Sequence, residues 1–332
     1  MADTHRKMFL SAEALARTRR VCSAAAEDFL RKKRLLANVQ GLGVGVKWKD
    51  GQPTGEEALV VLVSKKVPRA HLAGHELIPP KLGDIQTDVL QIGFPEIQAV
   101  SFAYPDLRSR VRPAVGGVSL GHPNITAGTL GIPVSDRTSV PHRFYVLSNN
   151  HVLADSNRAH LGDRILQPAR LDGGREPEDT LAQLAQFIPV QIEPPIERDE
   201  HRNLVDAALA ETHPADISPE IAQIGLVSGF LFAHEVNVGM LVRKTGRTTG
   251  YTIGRVTVVN ATVDVGYGPG LIARFQDQIV TTAMSAGGDS GSLVVTFDNL
   301  AVGLLFAGSP YATIVNQIEH VQNLLGIEIA PR

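Results

Sequence analysis

Between residues 113 and 212 the chain is cut by turn residues into short apolar runs, at 115–120, 126–132, 144–148, 164–167, 180–188 and 204–210. A run this short buries only one face and needs neighbouring strands to cover it. Even spacing with turn signals between the runs predicts an all-β barrel. A second series of strands is expected from 241 to 306, after a turn-rich connection that begins His213-Pro214-Ala215-Asp216. Ile318, Val321, Leu324 and Leu325 follow at helical spacing and predict a closing helix over 318–326. The expected order is a first barrel at 113–212, a connection at 213–235, and a second barrel with its helix at 236–332.

The first 95 residues read differently. Residues 11–37 predict a helix, with Ser11 placed to cap it and Glu13 in its first turn. Its arginines and the run Arg31-Lys32-Lys33-Arg34 make it basic. Strands are expected at 39–48, 58–64 and 85–93, so residues 1–95 form a small α+β domain, followed by a linker at 96–112. A role in selecting partners, or in holding a homo-oligomer together, is the expectation for this domain. Gly41-Leu42-Gly43-Val44-Gly45 does not suit a nucleotide, because a phosphate loop runs from strand to helix and here the order is reversed.

Composition narrows the function. Of 332 residues 43% are hydrophobic, enough for sizeable cores, and the net charge of −2 gives no general affinity for nucleic acid. No apolar run is long enough to span a membrane, and the first residues lack the apolar core of an export signal. The single cysteine, Cys22, rules out an internal disulfide, and a cytoplasmic setting is the expectation. There is no His-Glu-x-x-His and no Cys/His cluster, so neither metal nor cofactor is expected.

Ser285-Ala286-Gly287-Gly288-Asp289-Ser290-Gly291-Ser292 leads into Leu293-Val294-Val295. A serine between glycines before an apolar strand suits a nucleophile in a tight turn, and the Gly288 and Ser290 amides can converge on one oxyanion. A plain β-turn uses the same residues. A serine needs a histidine to take its proton, and the histidine needs a carboxylate. Phe144-Tyr145-Val146-Leu147-Ser148-Asn149-Asn150-His151 supplies the first, with His142 and His160 as rivals. Asp206, inside Leu204-Val205-Asp206-Ala207-Ala208, supplies the second, with Asp155, Asp163 and Asp199 as rivals. Ser285 and Ser292 are the alternatives to Ser290.

The order His, Asp, Ser and these local sequences resemble the chymotrypsin-like serine proteases. Val242-Arg243-Lys244-Thr245-Gly246-Arg247-Thr248-Thr249-Gly250 is similar to the Gly-Arg-Thr-Thr-Gly segment of alpha-lytic and streptogrisin-type enzymes, and Val302–Ser309 to the strand that lines their cleft. Ser-Asn-Asn-His-Val with Gly-Asp-Ser-Gly-Ser most resembles bacterial relatives of the plant narrow-leaf proteases. The resemblance spans roughly 112–326. It implies a double six-stranded β-barrel and a serine endopeptidase with His151, Asp206 and Ser290 as triad. Met284 would lie at the base of the specificity pocket, with Phe306, Ala307 and Gly308 beside an extended substrate.

An apolar residue at 284 then argues against cleavage after Lys or Arg and implies a small or medium apolar P1 side chain. Ser292 departs from the second glycine of the usual motif, and Phe306-Ala307 from a Ser-Trp type pair. Proline after Arg112 opposes zymogen-type cleavage there, so Asp289 needs an internal partner, Arg247 or Lys244. A protease-fold scaffold with little turnover, and a protease latent until assembly or effector binding, remain the alternatives.

Overall fold

The second barrel closes because its first strand finds two partners. Leu241–Gly246 pairs with Gly250–Gly268 on one side and with Leu293–Thr296 on the other. Leu300–Gly308, Ala312–Gln317 and Leu271–Thr282 complete the circuit, so the strands form a ring without a free edge. Val242, Val256, Ile279, Val294, Val302 and Val315 are buried together in its core. This is the computed structural model of residues 7–33, 38–95, 106–136 and 143–329.

The first barrel is built on the strand order Arg164–Leu166, Thr180–Phe187, Ala208–Thr212, Phe144–Ser148, Ile132–Asp136 and Ile327–Glu328. The last of these comes from the far end of the chain. The helix Ile318–Leu325 stops at Gly326, whose φ of 67° is left-handed, and this turn sends the tail back to the first barrel. Leu147, Val205 and Leu209 from one barrel share a core with Leu293 and Leu304 from the other and with Ile318 and Val321 of the helix. The chain is mainly β, as expected.

Several strand boundaries differ from the sequence reading: 115–120 is split into Ala114–Gly116 and Ser119–Leu120, and 126–132 gives Gly128–Thr129 before Ile132 opens Ile132–Asp136. The strand expected at 204–210 begins only at Ala208. Asp206 precedes it because side chains satisfy its backbone: Asn316 Oδ1 accepts its N–H at 3.0 Å and Asn149 Nδ2 donates to its carbonyl at 2.7 Å. The connection at 213–235 also contains strand. Ile217–Ile221, which carries Pro219, runs parallel to Ala114–Gly116, and Gly229–Phe230 runs beside Leu300–Gly308.

The N-terminal segment forms the helix Ala12–Lys33, with Ser11 Oγ accepting the Ala14 N–H at 3.2 Å. Its expected continuation to 37 and most of the expected linker (96–105) lie outside the described residues, as do His142 and the side chains of the basic run. The strands Val39–Lys49, Gln52–Val63 and Ile85–Gln91 follow. Val39–Lys49 pairs with Gly250–Gly268, so this α+β unit shares its sheet with the second barrel.

The glycine run has a steric cause. A Cβ on Gly41 would stand 2.1 Å from the Thr262 carbonyl oxygen, and one on Gly43 2.2 Å from Val258 Cγ1. Cys22 is fully buried in the core under the helix, and burial, with Asp277 adding to it, pushes its thiol up to about 12. Among the described residues no helix is long and apolar enough to cross a membrane.

Candidate active site

His151 sits where the strand Phe144–Ser148 turns into the helical turn Asn150–Leu153. Its Nδ1 lies 2.6 Å from Asp206 Oδ2, and its own backbone N–H donates to Asp206 Oδ1 at 3.1 Å. A carboxylate only accepts, so Nδ1 carries the proton and Nε2 presents a lone pair. That Nε2 is buried and has no hydrogen-bond partner among the described residues. Asp206 itself is completely buried. His160 and Asp163 form a separate group, in which Asp163 accepts the His160 backbone N–H and faces His122.

Ser290 lies on the same cleft, about 600 Å³ in volume, that His151 borders. Its Oγ is directed at the Phe306 carbonyl at 3.4 Å, a weak contact, and makes no hydrogen bond to the imidazole. Serine χ1 has three staggered wells, and one rotation redirects the hydroxyl. Catalytic hydrogen bonds are often unmade until substrate binds.

The turn itself is held from outside. Thr129 Oγ1 donates to the Gly288 carbonyl at 2.7 Å, and the Thr129 N–H donates to the Ser290 carbonyl at 2.8 Å. With those carbonyls committed, the Gly288 and Ser290 N–H groups are left without an acceptor among the described residues. Two free amides at one buried turn can receive an anion.

Gly291 locks this arrangement. Its φ is 97°, and a Cβ there would meet Ser148 Oγ at 2.1 Å and the Thr129 carbonyl oxygen at 2.2 Å. The second contact is backbone and has no easy relief. Gly291→Ala is expected to cost about 2–4 kcal/mol, read by chemical denaturation. A loss below about 0.5 kcal/mol would mean the two barrels are not fixed against each other at this turn.

Asp289 finds its countercharge in Lys244, at 3.1 Å, with both side chains fully buried. The Thr248 and Thr249 N–H groups donate to Oδ1 at 2.8 and 3.1 Å, and Thr249 Oγ1 donates to Oδ2 at 2.6 Å. Burial lowers the Lys244 ammonium, while Asp289 works the other way. Arg247, the other candidate, does not touch Asp289. It grips Asp172 with two nitrogens, Nε at 2.7 Å and Nη2 in a closer contact. The reason is direction: the Arg247 backbone N–H is tied to Thr129 Oγ1, and its side chain turns toward the first barrel.

The residues that the resemblance assigns to specificity are mostly buried. Met284 is packed in the barrel core against Gly254 and is not among the residues that line the cleft. Phe306 is also core, tilted against Phe275 with ring centroids 4.7 Å apart, so it offers backbone rather than side chain. Ala307 and Gly308 continue the strand beyond it. Among the described residues no cluster of His, Cys, Asp or Glu is arranged to hold a metal.

Several residues of the site escaped the sequence reading. Asn316 interrupts an apolar strand just before the last helix, a polar break that was visible but unassigned. Thr129 carried no signal. Tyr267, whose hydroxyl donates to Asp206 Oδ2 at 2.5 Å, sits in Gly266-Tyr267-Gly268-Pro269-Gly270, which reads as an ordinary hairpin tip. Phe94, from the N-terminal segment, also borders the cleft.

Comparison with known proteins gives short and distant likenesses. No protein-family model matches the chain. It is 50% identical over 54 residues to glutamyl endopeptidase 2 of Streptomyces griseus, a stretch covering 16% of this chain and 26% of that protein. The chain thus matches about a quarter of the length of this curated relative.

Its structural neighbours are bacterial serine proteases of the chymotrypsin type. Thermobifida fusca protease A is 18% identical, with 66% of this chain and 98% of that one covered and a TM-score of 0.45. A Nocardiopsis protease is 15% identical, with 65% and 98% covered and a TM-score of 0.44. A glutamic acid specific serine protease, described as binding substrate through a histidine triad, is 20% identical, with 65% and 100% covered and a TM-score of 0.44.

Proposed function

We propose that the protein is a serine endopeptidase using Ser290, His151 and Asp206. The observation that carries this is a buried imidazole, fixed by Asp206 through Nδ1 and with no partner on Nε2, bordering the same cleft as a serine whose own N–H and that of Gly288 are unbonded. In the reaction, Ser290 Oγ attacks the scissile carbonyl and its proton passes to His151 Nε2. The carbonyl oxygen becomes an oxyanion held by the Gly288 and Ser290 N–H groups. Collapse breaks the C–N bond, and the leaving amine takes the proton from His151. Water, deprotonated by the same nitrogen, then releases the acyl group and restores the serine.

A substrate strand laid beside residues 306–308 would add to the sheet there. An apolar P1 side chain suits this site. Arg158, which borders the cleft, is paired with Asp155 at 2.6 Å, and the buried Lys244 and Arg247 are committed to Asp289 and Asp172. Two of the similar proteins bear glutamate-directed names, so the contrast is testable. In a matched peptide panel, kcat/KM for Ala, Val or Leu at P1 is expected to exceed that for Glu by about tenfold or more. A preference for Glu would reject the apolar assignment.

The decisive experiment for the activity is labelling with a fluorophosphonate, with the adduct located by mass spectrometry. An adduct at Ser290 is expected. Folded protein that gives none would favour a binding scaffold, and labelling that appears only at high protein concentration would favour latency.

A further inference from the structure

The Asp206 carboxylate receives three donors: the His151 backbone N–H on Oδ1, and both the His151 ring and the Tyr267 hydroxyl on Oδ2. Tyr267 comes from the hairpin formed by Gly250–Gly268 and Leu271–Thr282, which belongs to the other barrel. Its ring is stacked on Phe275 at 6.1 Å and meets His151 edge-on at 6.3 Å, so packing fixes the direction of the hydroxyl. The hairpin is held in turn by the N-terminal segment, through the Gly266 N–H to the Pro95 carbonyl at 3.1 Å and the pairing of Gly41 with Val263. Burial, then the neighbouring Asp206 charge, holds the phenol well above its ordinary range, so it stays a donor.

We infer that Tyr267 is a positioning residue of this catalytic site, fixing the Asp206 carboxylate and moderating how strongly it attracts the proton of His151. The inference rests on the proposed Ser290–His151–Asp206 chemistry. Oδ2 has two lone pairs, and the imidazole occupies one. An empty second position in a fully buried carboxylate would leave its charge less stabilised and free to turn away from the ring. With the hydroxyl in place, Oδ2 is held at 2.6 Å from Nδ1 by a second donor, and part of its charge is spent on the phenol. The other titratable groups bordering this cleft, Asp155 and Arg158, are paired with each other at 2.6 Å.

Tyr267→Phe keeps the ring and removes only the donor. It is expected to lower kcat about tenfold with KM little changed. The acid limb of the kcat/KM profile should move upward by about half a unit or more, because a less satisfied carboxylate favours the imidazolium. The same upward move should appear in the midpoint of the His151 ring titration followed by NMR, which needs no turnover. An unmoved midpoint and profile would overturn the inference even if activity fell.

If wild-type protein gives no fluorophosphonate adduct at Ser290, the peptidase reading fails, while the ring titration still decides the role of Tyr267. Should the Phe variant not fold, the wild type is read instead. A slowly exchanging tyrosine hydroxyl proton with a cross-relaxation peak to the His151 ring N–H is expected, since both point at one oxygen, and its absence overturns the contact.

Discussion

Replacing Ser290 with alanine is expected to lower kcat for peptide hydrolysis by about six orders of magnitude, and His151→Ala by about as much. The double variant should lose almost nothing further, because without the base the hydroxyl is a poor nucleophile, and without the hydroxyl the base has no proton to take. Asp206→Asn tests the third member with little change in shape. An amide can present its NH₂ to Nδ1, which would then be the unprotonated nitrogen, and Nε2 would lose the lone pair that the reaction uses. A fall of about four orders of magnitude is expected. What survives should come from the Gly288 and Ser290 amides and from substrate binding alone. The measurement is kcat on a fluorogenic peptide at fixed pH, with folding confirmed by denaturation. Additive losses in the double variant, or a fall of less than tenfold for Asp206→Asn, would count against a single catalytic unit.

The parts of this site that sequence made legible are those whose chemistry demands a particular residue at a particular local shape. His151 ends an apolar strand at a polar elbow, Asp206 interrupts an apolar run, and Ser290 stands between glycines. Each departs from the pattern around it. The closing helix was equally plain, because Ile318, Val321, Leu324 and Leu325 keep helical spacing up to Gly326. The supporting groups were not legible, because they act through distance in space rather than pattern in sequence. Thr129 clamps a turn 159 residues away, and Tyr267 reaches Asp206 across 61 residues. Nothing in their neighbours records it.

The N-terminal segment shows a different limit. Its helix and strands could be read, but Val39–Lys49 pairs with the stretch of Gly250–Gly268 that runs on beyond its pairing with Leu241–Gly246, a partner about two hundred residues away that no local pattern names.

Lys244→Met is expected to be strongly destabilising while leaving the proposed triad intact. Lys244 and Asp289 are both fully buried, and the lysine is the carboxylate's only cationic partner among the described residues. Removing it leaves a buried charge held by dipoles alone: the Thr248, Thr249 and Ala286 N–H groups and the Thr249 hydroxyl. Breaking a buried pair in this way costs about 3–5 kcal/mol. Adding Asp289→Asn removes the stranded charge and should recover part of that loss, since an uncompensated ion is costlier than an imperfectly bonded amide. Chemical denaturation of the single and double variants gives the comparison directly.

The same pair predicts how activity responds to the amino terminus. Asp289 lies between Gly288 and Ser290, and its charge is already met from within the chain. Extending the amino terminus, or acetylating it, should therefore leave fluorophosphonate labelling of Ser290 unchanged. If labelling instead required cleavage after Arg112, or if Lys244→Met cost under about 1 kcal/mol, the lysine would not be what holds this turn.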